Sequence, residues 1–429
     1  MKSFLSLISL ILVISTAHIT YASTSPNQLS PVHSRQLTIV KAAALPMLLG
    51  KAADSFSVMA VKADTFIPIP YQFDDTDILG FPYVPNGYFE IDGQEGIIEA
   101  QDELAFMLKD TGLKATREQV NTLEGNIVAE LGFQVNGVAR YAYVVKDNAM
   151  RSEKHYAAYD QSSGLISTDS YTLQTTPNDI LIWSDLMYSG YTPGVTIFDT
   201  MKLRVRARLG FIKATIHNDL IPTKVFAVKN GPVRSLVSVQ IKIAILGIKL
   251  ASAGSVMTFT EDGFTVPVFA AIPAIAATLS DLSIDVSMDF NAFDGTKIRT
   301  GLGPKTPLIA GSDAGATPEQ LKISLEDSWL TGTTGKGFDI IAFFNAQNDF
   351  KPKLEVLYRD TFWGAKPDKP ERFEGSHPEI GYHIKNIPNS ADLLFSIEVY
   401  FGNDFWSYGI EKIVNEIQHP PELTVQTLL

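Results

Sequence analysis

"KLRVRARLGFIKATI", residues 202 to 216, decides the fold class. Leu203, Val205, Ala207 and Leu209 fall at every second position, the period of a strand with one face on a core, while Arg204, Arg206 and Arg208 share the opposite face. Three arginines on one strand face need either solvent or acidic neighbours. The same period runs outward in both directions. "AELGFQVNGVARYAYVV" (129 to 145) carries Asn136-Gly137 between two apolar-rich runs, a strong hairpin signal. Residues 223 to 269 divide into three or more strands at Asn230-Gly231-Pro232 and at Glu261-Asp262-Gly263, and the pattern continues through "LSIDVSMDF" (282 to 290) and "PKLEVLYRD" (352 to 360). Helical stretches are few, with residues 318 to 330 and 404 to 417 the candidates. These features predict a mainly β chain, a large antiparallel sandwich with few short helices.

The start of the chain bears on location. Met1-Lys2, the apolar run from 4 to 15 and the small residues Ala22 and Ser23 have the layout of a signal peptide spanning 1–22, so the expected location is periplasmic or extracellular. The chain has no cysteine, which excludes a lipid-modified cysteine, disulfides, thiolate ligands and a cysteine nucleophile. Residues 23–36 read as a flexible leader, and the turn-rich stretch 160 to 170 separates an N-terminal β-rich region, 37–159, from a C-terminal sandwich region, 171–425. A formal charge of −12 repels phosphate backbones, so nucleic acid is not expected as a partner. Residues 264 to 279 carry no charge but are too short for a spanning helix and are interrupted by Pro267 and Pro273. A buried core hairpin is the preferred account of the apolar stretch 236 to 279, which is also where any membrane association would run.

Carboxylates crowd one region. Asp74, Asp75 and Asp77 stand in "YQFDDTDILGF" (71 to 81), and Asp102 and Glu103 open "DELAFMLKDTG" (102 to 112). Short carboxylates accept hydrogen bonds from turn amides, which explains many such clusters. The sharper reading is a Ca²⁺ site, since Ca²⁺ takes several carboxylate and carbonyl oxygens, although "DDTDILG" departs from the spacing of the familiar calcium loop. Arg234 in "GPVR" is expected to pair with this acidic loop in preference to binding substrate.

Three segments together carry a resemblance. "IPIPYQFDDTD", "DELAFML" and "VKNGPVRSLVSVQI" resemble exported bacterial proteins of the galactose-mutarotase-like β-supersandwich type found near polysaccharide-degradation genes. The match spans residues 66 to 112 and 228 to 241, and the chain departs from the pattern by inserting residues 78 to 101 between the Asp-rich turn and "DEL". The resemblance implies a large antiparallel sandwich presenting a carbohydrate-sized groove.

Catalytic motifs are sparse. G-x-S-x-G, H-E-x-x-H and a phosphate-binding glycine loop are absent. In "FEGSHPEIGYH" (373 to 383), an extended backbone would place His377, Glu379 and His383 on one face, suited to zinc or iron, and His383 with Tyr382 could act as acid and base. An exposed loop of unrelated polar residues is the competing account. Tyr71, Tyr83, Tyr88, Phe89, Trp363 and Trp406 offer stacking faces for sugars. The sequence therefore favours a non-catalytic exported sandwich that binds a glycan or another envelope component. Its alternatives are a carbohydrate-active lyase or hydrolase and a structural or assembly protein of the envelope.

Overall fold

The computed structural model describes residues 29–291, 293–312, 314–347, 350–361, 376–388 and 392–427, so the segment read as a signal peptide lies outside the described residues. Its strands form five sheets, and every pairing among the described residues is antiparallel.

The first unit is a small sandwich. Leu37–Lys41, Glu103–Met107 and Tyr71–Asp74 make one sheet, facing a second built from Asn126–Val135, Val138–Lys146, Phe56–Lys62 and Thr65–Pro68. Val40, Leu104, Phe106, Phe56, Val58, Leu131, Phe133 and Val144 fill the space between them. The expected hairpin forms, with Asn136 and Gly137 at φ of 52° and 79°, the left-handed pair that a two-residue turn needs. The outer strand of the second sheet is Leu423–Thr427, so the end of the second sequence region completes the first region's sheet.

The larger unit sets a five-stranded sheet, in order Ile212–His217, Phe198–Leu209, Ser280–Phe290, Ser376–Lys385 and Lys353–Thr361, against a nine-stranded one. The central strands of the latter are Ser235–Ile245, Ile248–Thr260, Gly263–Ala271, Asp392–Gly402 and Asp339–Ala346. A four-stranded sheet from Ala157–Asp160 to Asp179–Tyr188 joins the same core. Across the stretch 160 to 170, Ala157–Asp160 and Leu165–Thr168 pair as a hairpin, in whose turn Asp160 accepts from the Ser162 and Ser163 hydroxyls at 2.7 Å.

Two local expectations are corrected. Residues 318 to 330 form turns, because the backbone carbonyls of Gln320 and Lys322 are drawn to Thr300 Oγ1, while Ile410–Gln418 does form the expected terminal helix. The part of the leader that is described, 29–36, is docked: Ser30, Val32 and His33 are buried, and Ser30 Oγ donates to Glu416 Oε2 at 2.5 Å. No helix among the described residues is long and apolar enough to cross a membrane.

Candidate functional site

The acidic loop and the "GPVR" segment meet at one buried ion-pair cluster joining the two units. Arg234 donates from Nε and Nη2 to Asp74 Oδ2 at 2.9 and 2.7 Å, and from Nη2 to Glu103 Oε2 at 2.6 Å. Lys229 Nζ lies 2.8 Å from Asp74 Oδ1, and Lys41 Nζ 2.9 Å from Glu103 Oε1. Gln72 completes the cluster, accepting from the Val233 and Arg234 amides at 3.1 and 3.0 Å and donating to Asp74 Oδ2 at 2.7 Å. Burial opposes ionisation here, but Arg234 and Lys229 outweigh it and hold the Asp74 carboxyl below its ordinary range. The segments quoted for the family resemblance, YQFD, DEL and GPVR, are thus the parts of an interdomain clamp.

The remaining acids of that region hold turns. Asp77 Oδ1 accepts from the Leu79 and Phe81 amides at 2.9 Å, Asp102 accepts from Thr76 and Glu99 amides at 3.1 and 2.7 Å, and Asp75 accepts from Gly96 at 3.1 Å. Among the described residues, no group of three or more His, Asp or Glu side chains is placed to hold a metal ion. Of the acids expected to hold calcium, Asp74, Asp75, Asp102 and Glu103 receive amides or cations, while Asp77 uses Oδ1 for its turn and keeps Oδ2 buried without a hydrogen-bond partner.

The segment expected as a histidine loop is a strand, Ser376–Lys385, between two others. Gly381 makes this feasible, since a Cβ there would meet Val286 O at 2.1 Å, and Pro378 falls where the ladder is irregular. Tyr382 and His383 consequently point to opposite faces. Tyr382 OH donates into the core to Ser328 O at 2.9 Å, whereas His383 Nδ1 lies 2.6 Å from Asp285 Oδ1, which separates the expected acid and base. Glu379 is fully buried and receives Arg204 Nη1 at 2.5 Å and Ser287 Oγ at 2.6 Å. The backbone of His377 lies in this strand, while its side chain and Trp363 lie outside the described residues.

The aromatic candidates disperse. Tyr71 OH donates to Phe56 O at 2.5 Å within the first unit, Tyr88 packs on Phe89 and Phe226, and Tyr83 donates its amide to Asp75 O at 2.7 Å. Trp406 Nε1 donates to Thr331 Oγ1 at 3.2 Å beneath the terminal helix.

A groove of about 390 Å³ lies instead on the outer face of the nine-stranded sheet. Thr258, Thr265, Pro267, Glu398 and Tyr400 form its floor, Leu37, Ile39 and Pro82 one side, and Glu416, Ile417 and Pro420 the other. The 79–89 loop is pressed onto the sheet beside it, where a Cβ on Gly254 would meet Phe89 Cζ at 2.3 Å. Glu398 is the best-positioned acid of the floor. Tyr400 OH donates to its Oε2 and Asn345 Nδ2 to its Oε1, each at 2.8 Å. Burial and the neighbouring Glu398 carboxylate push the Tyr400 phenol well above its usual range, so it stays a donor. Asp262 and Glu103 line the same groove, and burial raises Asp262 although Ser170 Oγ donates to it at 2.6 Å. Sequence reasoning missed this floor, although "SIEVYF" (396 to 401) alternates Ser396, Glu398 and Tyr400 with Ile397, Val399 and Phe401.

No protein-family model matches the chain, and no curated protein matches it. Among solved structures, it is similar in fold to an α-mannosidase from Enterococcus faecalis V583, with a TM-score of 0.51, 8% identity, and coverage of 93% of this chain and 45% of that one. A glycosyl hydrolase family 38 protein from Enterococcus faecalis follows at TM-score 0.49 and 8% identity, covering 93% of this chain and 46% of the other. An α-N-acetylgalactosaminidase from Bifidobacterium bifidum reaches 0.34 at 8% identity, over 59% and 38%. The chain spans less than half the length of these neighbours, and the likeness to the mannosidase is one of fold.

Proposed function

We propose that this chain is an exported carbohydrate-active protein that takes a glycan in the groove over Glu398, with that carboxyl as its acid–base group. The observation that carries the reading is Glu398 itself: a carboxylate on a groove floor, oriented through both oxygens by Tyr400 and Asn345, with the hydroxyls of Thr258 and Thr265 beside it. A general acid or base needs a fixed position and a supporting hydrogen-bond shell. The β-sandwich fold shared with a glycan-processing enzyme supports the same class, as does the resemblance of residues 66 to 112 and 228 to 241 to supersandwich proteins of polysaccharide utilisation.

A second reading is a non-catalytic glycan binder, supported by the groove carboxylates Glu103, Asp262 and Glu416 all being engaged by partners within the chain. Incubation of the purified protein with a broad polysaccharide panel, scored for new reducing ends and for unsaturated products, decides between them. Cleavage that falls by roughly 10² to 10⁴ in Glu398→Gln supports the enzyme. Glycan retention without cleavage, weakened by the same substitution, supports the binder. A protein that neither binds nor cleaves any panel member overturns both.

A further inference from the structure

The opposite face of the nine-stranded sheet points to a second kind of ligand. Between it and the five-stranded sheet lies an apolar cavity of about 190 Å³. Protein interiors ordinarily leave few voids larger than a water molecule, and a void without polar partners stays dry. Here the strand Ser280–Phe290 is inverted from the usual pattern: its polar Ser283, Asp285, Ser287 and Asp289 are buried, while the inward-facing Ile284, Val286 and Met288 keep free surface. That surface faces the cavity. The lining follows alternate residues of one strand from Phe264 through Val266, Val268 and Ala270 to Ile272, so at about 3.3 Å per residue the slot is roughly 26 Å long. A small volume spread over that length suits a single extended chain better than a compact ring.

One end of the slot carries a second, separate feature. Strand register places three loop tips together there: the turn after Leu209, the turn after Ile245, and the segment 272 to 279 that leads into Ser280. Their apolar side chains project into solvent: Phe211 is 94% exposed, and Leu246 and Ile275 are exposed as well. Leu246 occupies a left-handed turn position, φ 52°, that Asn, Asp or Gly would suit better, so neither the turn nor the core gains from it. Lys213, Lys242 and Lys249 stand exposed near these tips on a chain whose overall charge is −12. Apolar tips with lysines beside them, the neighbouring carboxylate Asp281 being paired with Arg208, are the surface a bilayer with anionic headgroups recognises.

We propose that this end of the sandwich docks on an anionic lipid surface and that the slot behind it receives an acyl chain of a membrane lipid. The site is independent of the groove over Glu398, which lies across the sheet.

The test uses the purified chain with phosphatidylethanolamine vesicles containing phosphatidylglycerol, and separately with free straight-chain fatty acids from hexanoate through decanoate to docosanoate. Wild type is expected to co-sediment with the vesicles, less so at high salt, and to bind the free acids roughly fourfold more tightly per added methylene until the slot is full. Replacing Phe211, Leu246 and Ile275 together by Ser, Asn and Ser should cut vesicle binding at least tenfold while leaving decanoate affinity and melting temperature unchanged. Ala342→Leu and Val268→Phe, which fill the slot, should do the reverse, preserving docking and lowering decanoate affinity at least tenfold with no loss of melting temperature. Should either filled variant fail to fold, Val268→Ala, which enlarges the slot, must shift the preferred chain length upward. No sedimentation by wild type, or decanoate binding indifferent to both filling and enlargement, overturns the proposal.

Discussion

Two buried charge clusters hold this molecule, and they are built differently. The Arg234 cluster gathers Asp74 and Glu103 from 160 and 131 residues away, across the boundary between the two units. The Arg204 cluster lies within one sheet, where cross-strand neighbours line up: Lys202 with Asp289 at 2.6 Å, Arg206 with Asp285 at 2.6 Å, and Arg204 with Glu379 at 2.5 Å and Asp285 at 3.9 Å. In the first, one guanidinium joins two carboxylates and two domains. The acids of both have further donors, Lys229 and Gln72 on Asp74, Lys41 on Glu103, Ser287 on Glu379, and Arg206 and His383 on Asp285, but in the second every partner lies on the same sheet. Arg234 is the one group of its cluster that bonds both Asp74 and Glu103 across the boundary, whereas the strands that carry the Arg204 cluster stay joined by their ladder without it.

The largest expected effect follows from that contrast. Arg234→Met removes the guanidinium that Asp74 and Glu103 share, leaves them only Lys229, Lys41 and Gln72, and breaks the link between the units, so it should cost about 3–5 kcal/mol in denaturant unfolding. It should also loosen the first unit, which limited proteolysis would register. Arg204→Met should cost about 2–3 kcal/mol, because Ser287 and the nearby Lys202 continue to serve Glu379. Equal losses in the two variants would break the comparison.

Titration sharpens it. Burial works against ionisation of Asp74, Asp285 and Glu379, yet their cationic and hydrogen-bonding partners hold all three below the ordinary carboxylate range. Their contribution is then fully present above an unfolded value of about 4 and is lost as pH falls through their lower folded values. Asp77 behaves oppositely. Desolvation, opposed by the Phe81 and Leu79 amides, pushes its carboxyl up to about 6, so the folded state holds a proton that the unfolded chain has released. Stability from this group therefore declines as pH rises from about 4 to 6. Asp77→Asn, which keeps the amide acceptor, should raise stability by about 1–2 kcal/mol at pH 8 and leave it unchanged near pH 4. A gain of the same size at both pH values would remove desolvation as the cause.

The smallest effect belongs to the periphery of the second cluster. His383→Gln should cost about 1 kcal/mol or less, since Arg206 still satisfies Asp285. It should also leave any glycan cleavage intact if Glu398 carries the chemistry.

The fold class was legible because alternation is a local signal. Leu203, Val205 and Ala207 had to share a face, and the three arginines did find acids, Asp285, Glu379 and, for Arg208, Asp281. Alternation says which residues share a face but not what covers it, so the exposed-loop reading of residues 377 to 383 failed once that segment became an inner strand. The pairing of Arg234 with the acidic loop was readable from complementary charge, and the groove was not. Its floor joins Thr258, Thr265 and Glu398, whose neighbourhood depends on strand pairings between Gly263–Ala271 and Asp392–Gly402 that no short window contains. The slot was equally hidden, since an apolar strand looks the same in sequence whether the space before it is filled or empty.

The strand Leu423–Thr427 pairs with Asn126–Val135 nearly three hundred residues upstream, Thr424 Oγ1 donating to Gly132 O at 3.1 Å. During synthesis, which runs at roughly 5–20 residues per second, the first unit must wait for residue 423 before its sheet is complete. Until then the strand bearing Leu131 and Phe133 offers an open edge, the kind of surface that pairs with other chains. Order of emergence thus becomes a hazard of this topology, one that ends only when the last strand closes the edge.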